Sequence, residues 1–273
     1  MKVALIGCGF IGTSLAEFIE QEMKGSMELV AVYDEVKERA TSLCRKLGIE
    51  PRIAENSDDI IHDSTVNLVI EAASQKAAKA IIPKALTTGK HVMIMSVGAL
   101  ADSKFYEEVE KMLRKSEAKI CVPSGAIGGL DWIKAASTVG LQRVIITSRK
   151  PPKALEGAPY VVRNKIDLRA IEKPTQIYEG PASDAAASFP ANVNVAAALS
   201  LAGIGSQKTL VRVIVDPTVE RNIHEISAEG AAGRITVRVE NLPSPTNPKT
   251  SWIAALSAMQ KLREMSQSIS VGT

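Results

Sequence analysis

Residues 1–12 read MKVALIGCGFIG and contain the glycine motif Gly7-Cys8-Gly9-Phe10-Ile11-Gly12. The apolar run Val3–Ile6 comes directly before the motif, and a helical pattern follows it. A GxGxxG spacing between a buried strand and a helix is typical of a dinucleotide-binding turn. The first glycine permits the tight bend, the second lets a pyrophosphate approach, and the third lets the helix pack on the strand. The helix N-terminus, at Phe10 and Ile11, then offers N–H groups to the phosphates.

Outward from this motif, the first 120 residues alternate between two periodicities. Apolar runs predict buried parallel strands at Val3–Ile6, Leu29–Val32, Leu68–Ile70, Val92–Met95 and Lys119–Val122. Helical patterns separate them at Ile11–Met23, Val36–Leu47, Gln75–Leu86 and Ser103–Lys115. This alternation predicts an α/β fold, with an N-terminal Rossmann domain built on a doubly wound parallel sheet over residues 1–122.

Residues 123–246 show a different pattern, which predicts a second, α+β domain with a mixed or antiparallel sheet. Helices are expected near Leu130–Val139 and Asn192–Ala202, and a Gly/Ser/Pro-rich stretch, Gly180–Pro190, precedes the second of them. The predicted strands are Arg143–Ser148, Leu210–Asp216, Asn222–Ala228 and Arg234–Glu240.

A final helix is expected to begin near Pro248, with Asn247 as its N-cap. Its apolar positions Ile253, Leu256, Met259 and Leu262 predict one buried face. We expect this C-terminal segment, residues 247–273, to pack back on the Rossmann domain.

Asp34 lies 22 positions after Gly12, at the end of the second predicted strand. A carboxylate there accepts hydrogen bonds from the adenosine ribose hydroxyls and repels a 2′-phosphate, which slightly favours NAD over NADP. Lys37 and Arg39 follow closely, and their positive charges pull toward NADP. The predicted cofactor is therefore NAD or NADP.

The composition excludes several other classes of protein. A net charge of +3 with no basic block gives no nucleic-acid footprint. No apolar run is long enough for a membrane span, and the N-terminus does not resemble a signal peptide. Three scattered cysteines form neither a disulfide framework nor a metal site, so we expect no metal and a cytoplasmic location.

Histidine is scarce, which focuses attention on His62, His91 and His224. The first lies on a short helix and the second starts a Rossmann strand, so both are expected to be surface or structural residues. His224 shares one face of a predicted strand with Asn222, after the turn at Pro217. A polar pair on a strand suits a site that faces a cleft, and an ordinary imidazole pKa near 6.5 suits acid–base chemistry. A hydrogen-bonded structural histidine is the alternative.

Four further segments give the sequence a specific resemblance. They are Pro123–Asp131 (PSGAIGGLD), Phe189–Ala197 (FPANVNVAA), Asn222–Ile226 (NIHEI) and Asn247–Ser251 (NPKTS). Together with the glycine motif they resemble, in the same order, the L-aspartate dehydrogenase family. The resemblance implies NAD(P)-dependent oxidation of L-aspartate to iminoaspartate, which yields oxaloacetate and ammonia or feeds NAD biosynthesis. It also implies a homodimer with a dihydrodipicolinate-reductase-like second domain.

By this resemblance the active-site histidine is His224, and the residues on the nicotinamide side are Ala126 and Asn194. The substrate carboxylates need cations or helix N-termini. Lys249, with Thr250 beside it, is the leading candidate, although a solvated loop lysine is an equal interpretation. Asn222 is expected to orient the imidazole or to bind substrate. Other cations that could serve are Arg163, Arg212 and Arg234.

Three alternative functions stay open. A semialdehyde dehydrogenase would need a nucleophilic cysteine, and Cys121 lies within an apolar strand. A dihydrodipicolinate-type reductase would need a His-His and lysine-rich stretch, which the sequence lacks. A non-enzymatic NAD-binding sensor would not need the polar pair of Asn222 and His224.

Overall fold

The computed structural model describes residues 1–190, 193–245, 250–269 and 271–272. The chain divides into two compact units. The first comprises Met1–Ala99, Lys104–Pro123 and Ala255–Ser270, and the second comprises Leu100–Ser103, Ser124–Ala254 and Val271–Thr273. The chain therefore returns to its N-terminal unit after completing the second.

The first unit contains a six-stranded sheet in which all neighbouring strands are parallel. Its strands are β1 (Lys2–Ile6), β2 (Glu28–Tyr33), β3 (Arg52–Ile53), β4 (Leu68–Glu71), β5 (His91–Ile94) and β6 (Ile120–Cys121). Their spatial order is β3-β2-β1-β4-β5-β6. The strand order reverses between β1 and β4, where doubly wound sheets bind their ligands. The predicted Rossmann fold is confirmed.

Helices connect these strands, and their amphipathic sequences explain their positions. They are α1 (Phe10–Glu22), α2 (Lys37–Leu47), α3 (Ser57–Ile61), α4 (Gln75–Thr87) and α5 (Ser103–Leu113), with a 3₁₀ turn at Val97–Ala101. Leu15, Ala16 and Ile19 of α1 are buried against the sheet. β3 has two residues, which is too short for a periodicity signal, and it was not predicted.

The second unit contains a five-stranded mixed sheet covered by short helices. Its elements are α6 (Leu130–Ser137), β7 (Leu141–Lys150), α7 (Pro159–Arg163), β8 (Thr175–Pro181), α8 (Ala182–Ser188), α9 (Asn194–Ala202), β9 (Leu210–Val215), β10 (Asn222–Gly230) and β11 (Gly233–Asn241). The order is β11-β10-β7-β9-β8, with β7 and β9 parallel and the other pairs antiparallel. The prediction of an α+β unit is confirmed.

The Gly/Ser/Pro-rich stretch Gly180–Pro190 contains regular structure that was not predicted. Strand β8 runs into Pro181, and α8 follows at once. The α8 sequence ASDAAAS contains four alanines, the strongest helix formers, and these outweigh the serines. The expected helix at Asn192 begins at Asn194 as α9, and Asn192 itself lies outside the described residues.

The last helix, α10 (Trp252–Glu264), begins later than predicted. Ser251 forms a β-bridge with Pro243, and the Trp252 N–H donates to the Leu242 carbonyl, so the backbone is held out of the helix there. Asn247 and Pro248, the predicted start, lie outside the described residues.

The predicted buried face of α10 is partly wrong. The buried residues are Ala255, Ala258 and Leu262, whereas Ile253 and Leu256 are exposed. The apolar pattern predicted that the larger side chains would be buried, but the buried stripe of the helix consists of two alanines and Leu262. Ala258 and Leu262 join the hydrophobic core of the first unit. Within the described residues, no helix has the length and apolar character needed to cross a membrane.

Candidate active site

A cleft opens in the first unit where three parallel strands end. Its cavity volume is about 340 Å³. Three successive loops contribute to its wall, one after β1, one after β2 and one after β4. The residues that line the cleft include Gly7, Gly9, Asp34, Ala72, Ala73 and Ser74 from these loops and Arg39 from the first turn of α2. This is the position at which doubly wound sheets hold dinucleotides.

The three glycines of the motif differ in what surrounds them. A Cβ on Gly7 would lie 2.5 Å from the Ala72 carbonyl oxygen, and one on Gly12 would lie 1.9 Å from the Gly7 oxygen. Those two positions are filled by the protein itself. Among the residues that the structure describes, nothing lies within 4 Å of a Cβ built on Gly9, and Gly9 lines the cleft. The space at Gly9 is therefore available to a ligand.

Helix α1 begins directly after Gly9, and no side chain in the described part of the chain caps its N-terminus. Uncapped N–H groups and the helix dipole together favour an anion at this point. The motif thus fits a pyrophosphate, with Phe10 and Ile11 contributing the first turn of the helix.

Asp34 is held in place by backbone hydrogen bonds. Its carboxylate accepts from the N–H of Cys8 at 2.7 Å and from the N–H of Val36 at 2.9 Å. Arg39 Nη1 lies 3.8 Å from the same carboxylate and also lines the cleft, whereas Lys37 pairs with Glu55. A carboxylate and a cation therefore lie side by side on this wall, which suits either NAD or NADP.

Glu71, which no pattern in the sequence singled out as a site residue, holds the loop after β4 that lines the same cleft. It is fully buried at the end of β4, and its carboxylate accepts hydrogen bonds from the N–H groups of Ala73, Ser74 and Ser96 and from the Ser96 hydroxyl. Burial raises the pKa of Glu71, and these four donors oppose that shift. The carboxyl group thereby fixes the loop that lines the cleft. The signal in the sequence that could have identified Glu71 is its position as a charged residue directly after the apolar residues Leu68–Ile70.

The inner face of the second-unit sheet changes from apolar to polar along β7 and β10. In the register of these strands Val144 pairs with Ala228, and Ile146 pairs with Ile226. These four side chains belong to the hydrophobic core.

The next pair in the register is Ser148 with His224, and one step further on the same face are Lys150 and Asn222. All four are buried, with 3 to 7% of their surface exposed. We call Ser148, Lys150, Asn222 and His224 the polar patch.

Within the polar patch, Ser148 holds the imidazole of His224. The Ser148 hydroxyl and His224 Nδ1 share a hydrogen bond of 2.9 Å. Burial, together with the positive charge of Lys150, lowers the pKa of His224 from 6.5 to about 3. The expected ordinary pKa is therefore wrong, because the sequence could not show that the ring is buried beside a cation. The imidazole is neutral at neutral pH.

Lys150 is a second residue that the sequence analysis missed. Burial lowers the pKa of its ammonium group from 10.5 to about 8. Lys150 and Ser148 line a narrow cavity whose other walls are apolar, including Phe189 and Val193. A buried amine on the same face as His224 makes the polar end of this sheet a candidate functional site.

Asn222 does not orient the imidazole, contrary to one of its two predicted roles. Its amide nitrogen lies 3.4 Å from the Ser251 hydroxyl, which is a long hydrogen bond. Its oxygen Oδ1 is buried and has no hydrogen-bond partner among the residues that the structure describes. An unpaired buried acceptor is costly, so Oδ1 is a place where a ligand donor would be favoured.

The other predicted site residues lie as follows. Ala126 is buried in the second unit, and its carbonyl accepts from Asn241 Nδ2 at 2.9 Å. Asn194 is the first residue of α9. Thr250 lies elsewhere in the second unit, where its backbone carbonyl accepts a hydrogen bond from the Ser244 N–H. Lys249, the leading carboxylate candidate, lies outside the described residues.

The three arginines considered for the substrate carboxylates have other partners. Arg212 pairs with Glu179 and Arg234 with Glu229, while Arg163 lies over the ring of Tyr160. None of them lies in the polar patch.

Other candidate chemistries find no support in the geometry. Burial raises the pKa of the Cys121 thiol, which disfavours a thiolate nucleophile. His62 is exposed with Nδ1 at the Asp58 carbonyl, and His91 Nδ1 accepts from the Lys119 N–H, as structural histidines do. Over the described ranges, no group of three or more His, Cys, Asp or Glu could hold a metal.

Comparison with known proteins gives matches over the whole chain. Residues 7–123 match the model of the homoserine dehydrogenase NAD-binding domain, and residues 131–265 match that of the aspartate dehydrogenase C-terminal domain. The L-aspartate dehydrogenase of Methanosarcina mazei is 46% identical over 273 residues, covering 100% of both chains. That of Nitrosopumilus maritimus is 42% identical, covering 100% of this chain and 99% of its own.

A solved structure gives a similar result. The crystal structure of aspartate dehydrogenase from Thermotoga maritima superposes with a TM-score of 0.79 at 29% identity, covering 100% of this chain and 99% of that one.

The surroundings of Gly9 and Gly12 predict opposite effects for the same substitution. Gly9→Ala should leave the melting temperature nearly unchanged but weaken NAD binding by about tenfold or more, because its methyl group would enter the pyrophosphate space. Gly12→Ala should instead destabilise the fold, because its methyl group would collide with the Gly7 carbonyl. Calorimetric melting and NAD titration measure both effects. Wild-type affinity in Gly9→Ala would show that the pyrophosphate lies elsewhere.

Proposed function

This chain belongs to the L-aspartate dehydrogenase family, and we propose that it catalyses the reversible NAD(P)-dependent oxidation of L-aspartate. L-Aspartate would lose the hydride on C2 to the bound cofactor and a proton from its amine, which gives iminoaspartate. Water then converts the imine to oxaloacetate and ammonia. The observation that carries the proposal is a buried, neutral histidine held by a serine in the second unit of a chain whose first unit is built for a dinucleotide.

The residues of the first unit fit the dinucleotide. Gly7 and Gly12 shape the turn, and Gly9 leaves room for the pyrophosphate. The N-terminus of α1 would stabilise the negative charge of the phosphates. Asp34 accepts from the ribose hydroxyls, with Arg39 available beside a 2′-phosphate. When bound, the cofactor supplies the hydride acceptor. By their correspondence with the family, we assign Ala126 and Asn194 to the nicotinamide side.

His224 is the proposed general base. In the tautomer that carries its proton on Nδ1, the ring donates a hydrogen bond to the Ser148 hydroxyl. Nε2 then keeps its lone pair for the substrate. Nε2 then takes a proton from the substrate ammonium, or from the water that attacks the imine. Because the ring is neutral before substrate binds, it enters the reaction in the form that accepts a proton. Ser148 is the positioning residue that holds the ring in this orientation.

A direct assay tests the proposed reaction. Purified protein is mixed with L-aspartate and either NAD or NADP, and reduced-nicotinamide absorbance is followed, with L-alanine and L-malate as control substrates. We expect NADH or NADPH to form with L-aspartate alone, and the two rates show which cofactor the Asp34 and Arg39 wall prefers. Dinucleotide binding without turnover of L-aspartate would contradict the proposal and favour the sensor.

The role of His224 predicts a selective loss of turnover. His224→Ala should lower kcat by about 100-fold or more while leaving the dissociation constant for NAD within about twofold, because the residue acts on the substrate proton. His62→Ala is the matched control, since His62 is exposed and should be dispensable. Equal losses of NAD affinity and turnover in His224→Ala would show that the histidine supports the fold instead.

We also propose that the protein is a cytoplasmic homodimer. Its three cysteines are free thiols, which suits a reducing compartment. The outer face of the second-unit sheet carries Arg238 beside Glu225 and Arg212 beside Glu179, and mixed charge of this kind can pair with a second copy of itself. Analytical ultracentrifugation should give twice the chain mass of 29.1 kDa, and Arg212→Glu should weaken the dimer. A monomer at micromolar concentration would overturn this assignment.

A further inference from the structure

Lys150 lies two residues after Ser148 on β7, and Asn222 lies two residues before His224 on β10. Alternation along the strands therefore places both on the same sheet face as the proposed base. Only 5% of the surface of Lys150 and 7% of that of Asn222 are exposed. Lys150 is close enough to His224 for its charge to act on the imidazole. The polar patch thus brings together a cation, an amide oxygen and an imidazole.

These three groups are complementary to an amino acid. A substrate carboxylate seeks a cation with N–H donors, which an ammonium provides. A substrate amino group seeks an acceptor, and Asn222 Oδ1 is a buried acceptor with no partner among the described residues. His224 receives the proton that the amino group must lose.

We propose that Lys150 is the subsite for a carboxylate of the substrate and that Asn222 Oδ1 accepts a hydrogen bond from its amino group. This inference rests on the proposed function and names residues that would give the site its preference for an amino acid. It places carboxylate recognition on β7, in a residue that no pattern in the sequence singled out.

The electrostatics of the polar patch support this assignment. A buried ammonium is costly to keep charged, and an opposite charge within a few ångströms offsets that cost. Burial lowers the pKa of Lys150 to about 8, and a bound carboxylate would raise it again. The same carboxylate would screen His224 from the charge of Lys150 and make the imidazole a stronger base. Substrate binding and activation of the base are thereby coupled.

The test compares Lys150→Met, which keeps the side-chain length but removes the charge, with the wild-type enzyme. Succinate, which is aspartate without its amino group, serves as a competitive probe. We expect Lys150→Met to raise both KM for L-aspartate and Ki for succinate by about 10- to 100-fold, with the dissociation constant for NAD unchanged. Asn222→Ala should raise KM for L-aspartate but leave Ki for succinate within twofold. Lys150→Gln is a second neutral variant in case the methionine does not fold.

Lys90→Met is the matched control. Lys90 is also 5% exposed, and its ammonium donates to the carbonyls of Asp63 and Val66 in the first unit, away from the polar patch. That variant should lose stability and keep both KM and Ki. A Lys150→Met enzyme that behaves in the same way would overturn the inference.

A second measurement separates this inference from the proposed function. If the wild type does not oxidise L-aspartate, the proposed function fails. Calorimetric titration of succinate into the NAD-loaded wild type and Lys150→Met then decides the carboxylate subsite alone, and equal binding by both would overturn it.

Discussion

The register of β10 against β7 is the constraint on which the second unit depends. Ile226 faces Ile146 and His224 faces Ser148 because the two strands pair in one alignment. A slip by one residue would turn every side chain to the opposite sheet face, and it would expose the apolar rows that are now fully buried. Hydrophobic burial, worth roughly 25 cal/mol per Å², therefore fixes the polar patch in place. The apolar residues that fix the register, such as Ile146 and Ile226, therefore position the polar patch although they take no part in its chemistry.

The first unit relies on close contact between backbones. Gly12 approaches Gly7 where no side chain would fit, and Gly7 approaches Ala72 in the same way. Glu71 then secures the loop after β4 with four hydrogen bonds. The cleft is consequently lined by fixed backbone before any ligand enters, which reduces the ordering cost of binding.

The sequence was most informative where the signal is local. The glycine motif, Asp34 and the shared face of Asn222 and His224 depend on spacings of a few residues to a few tens. Ser148 lies 76 residues from His224, so its role depends on strand pairing that no short pattern encodes. The pKa of His224 likewise depends on burial and on Lys150, both products of tertiary structure. For α10, spacing predicted the helix but not its buried stripe, since packing selected alanines over larger side chains.

The polar patch also sets a limit on how stable this protein can become. A buried ammonium and an unpartnered amide oxygen within a core face weaken the fold, and well-packed apolar residues in their places would strengthen it. Selection for heat resistance alone would therefore remove Lys150 and Asn222 first. On the proposed role of these residues in recognition, their presence lowers stability in exchange for substrate binding, and efforts to stabilise the enzyme should leave this end of the sheet unchanged.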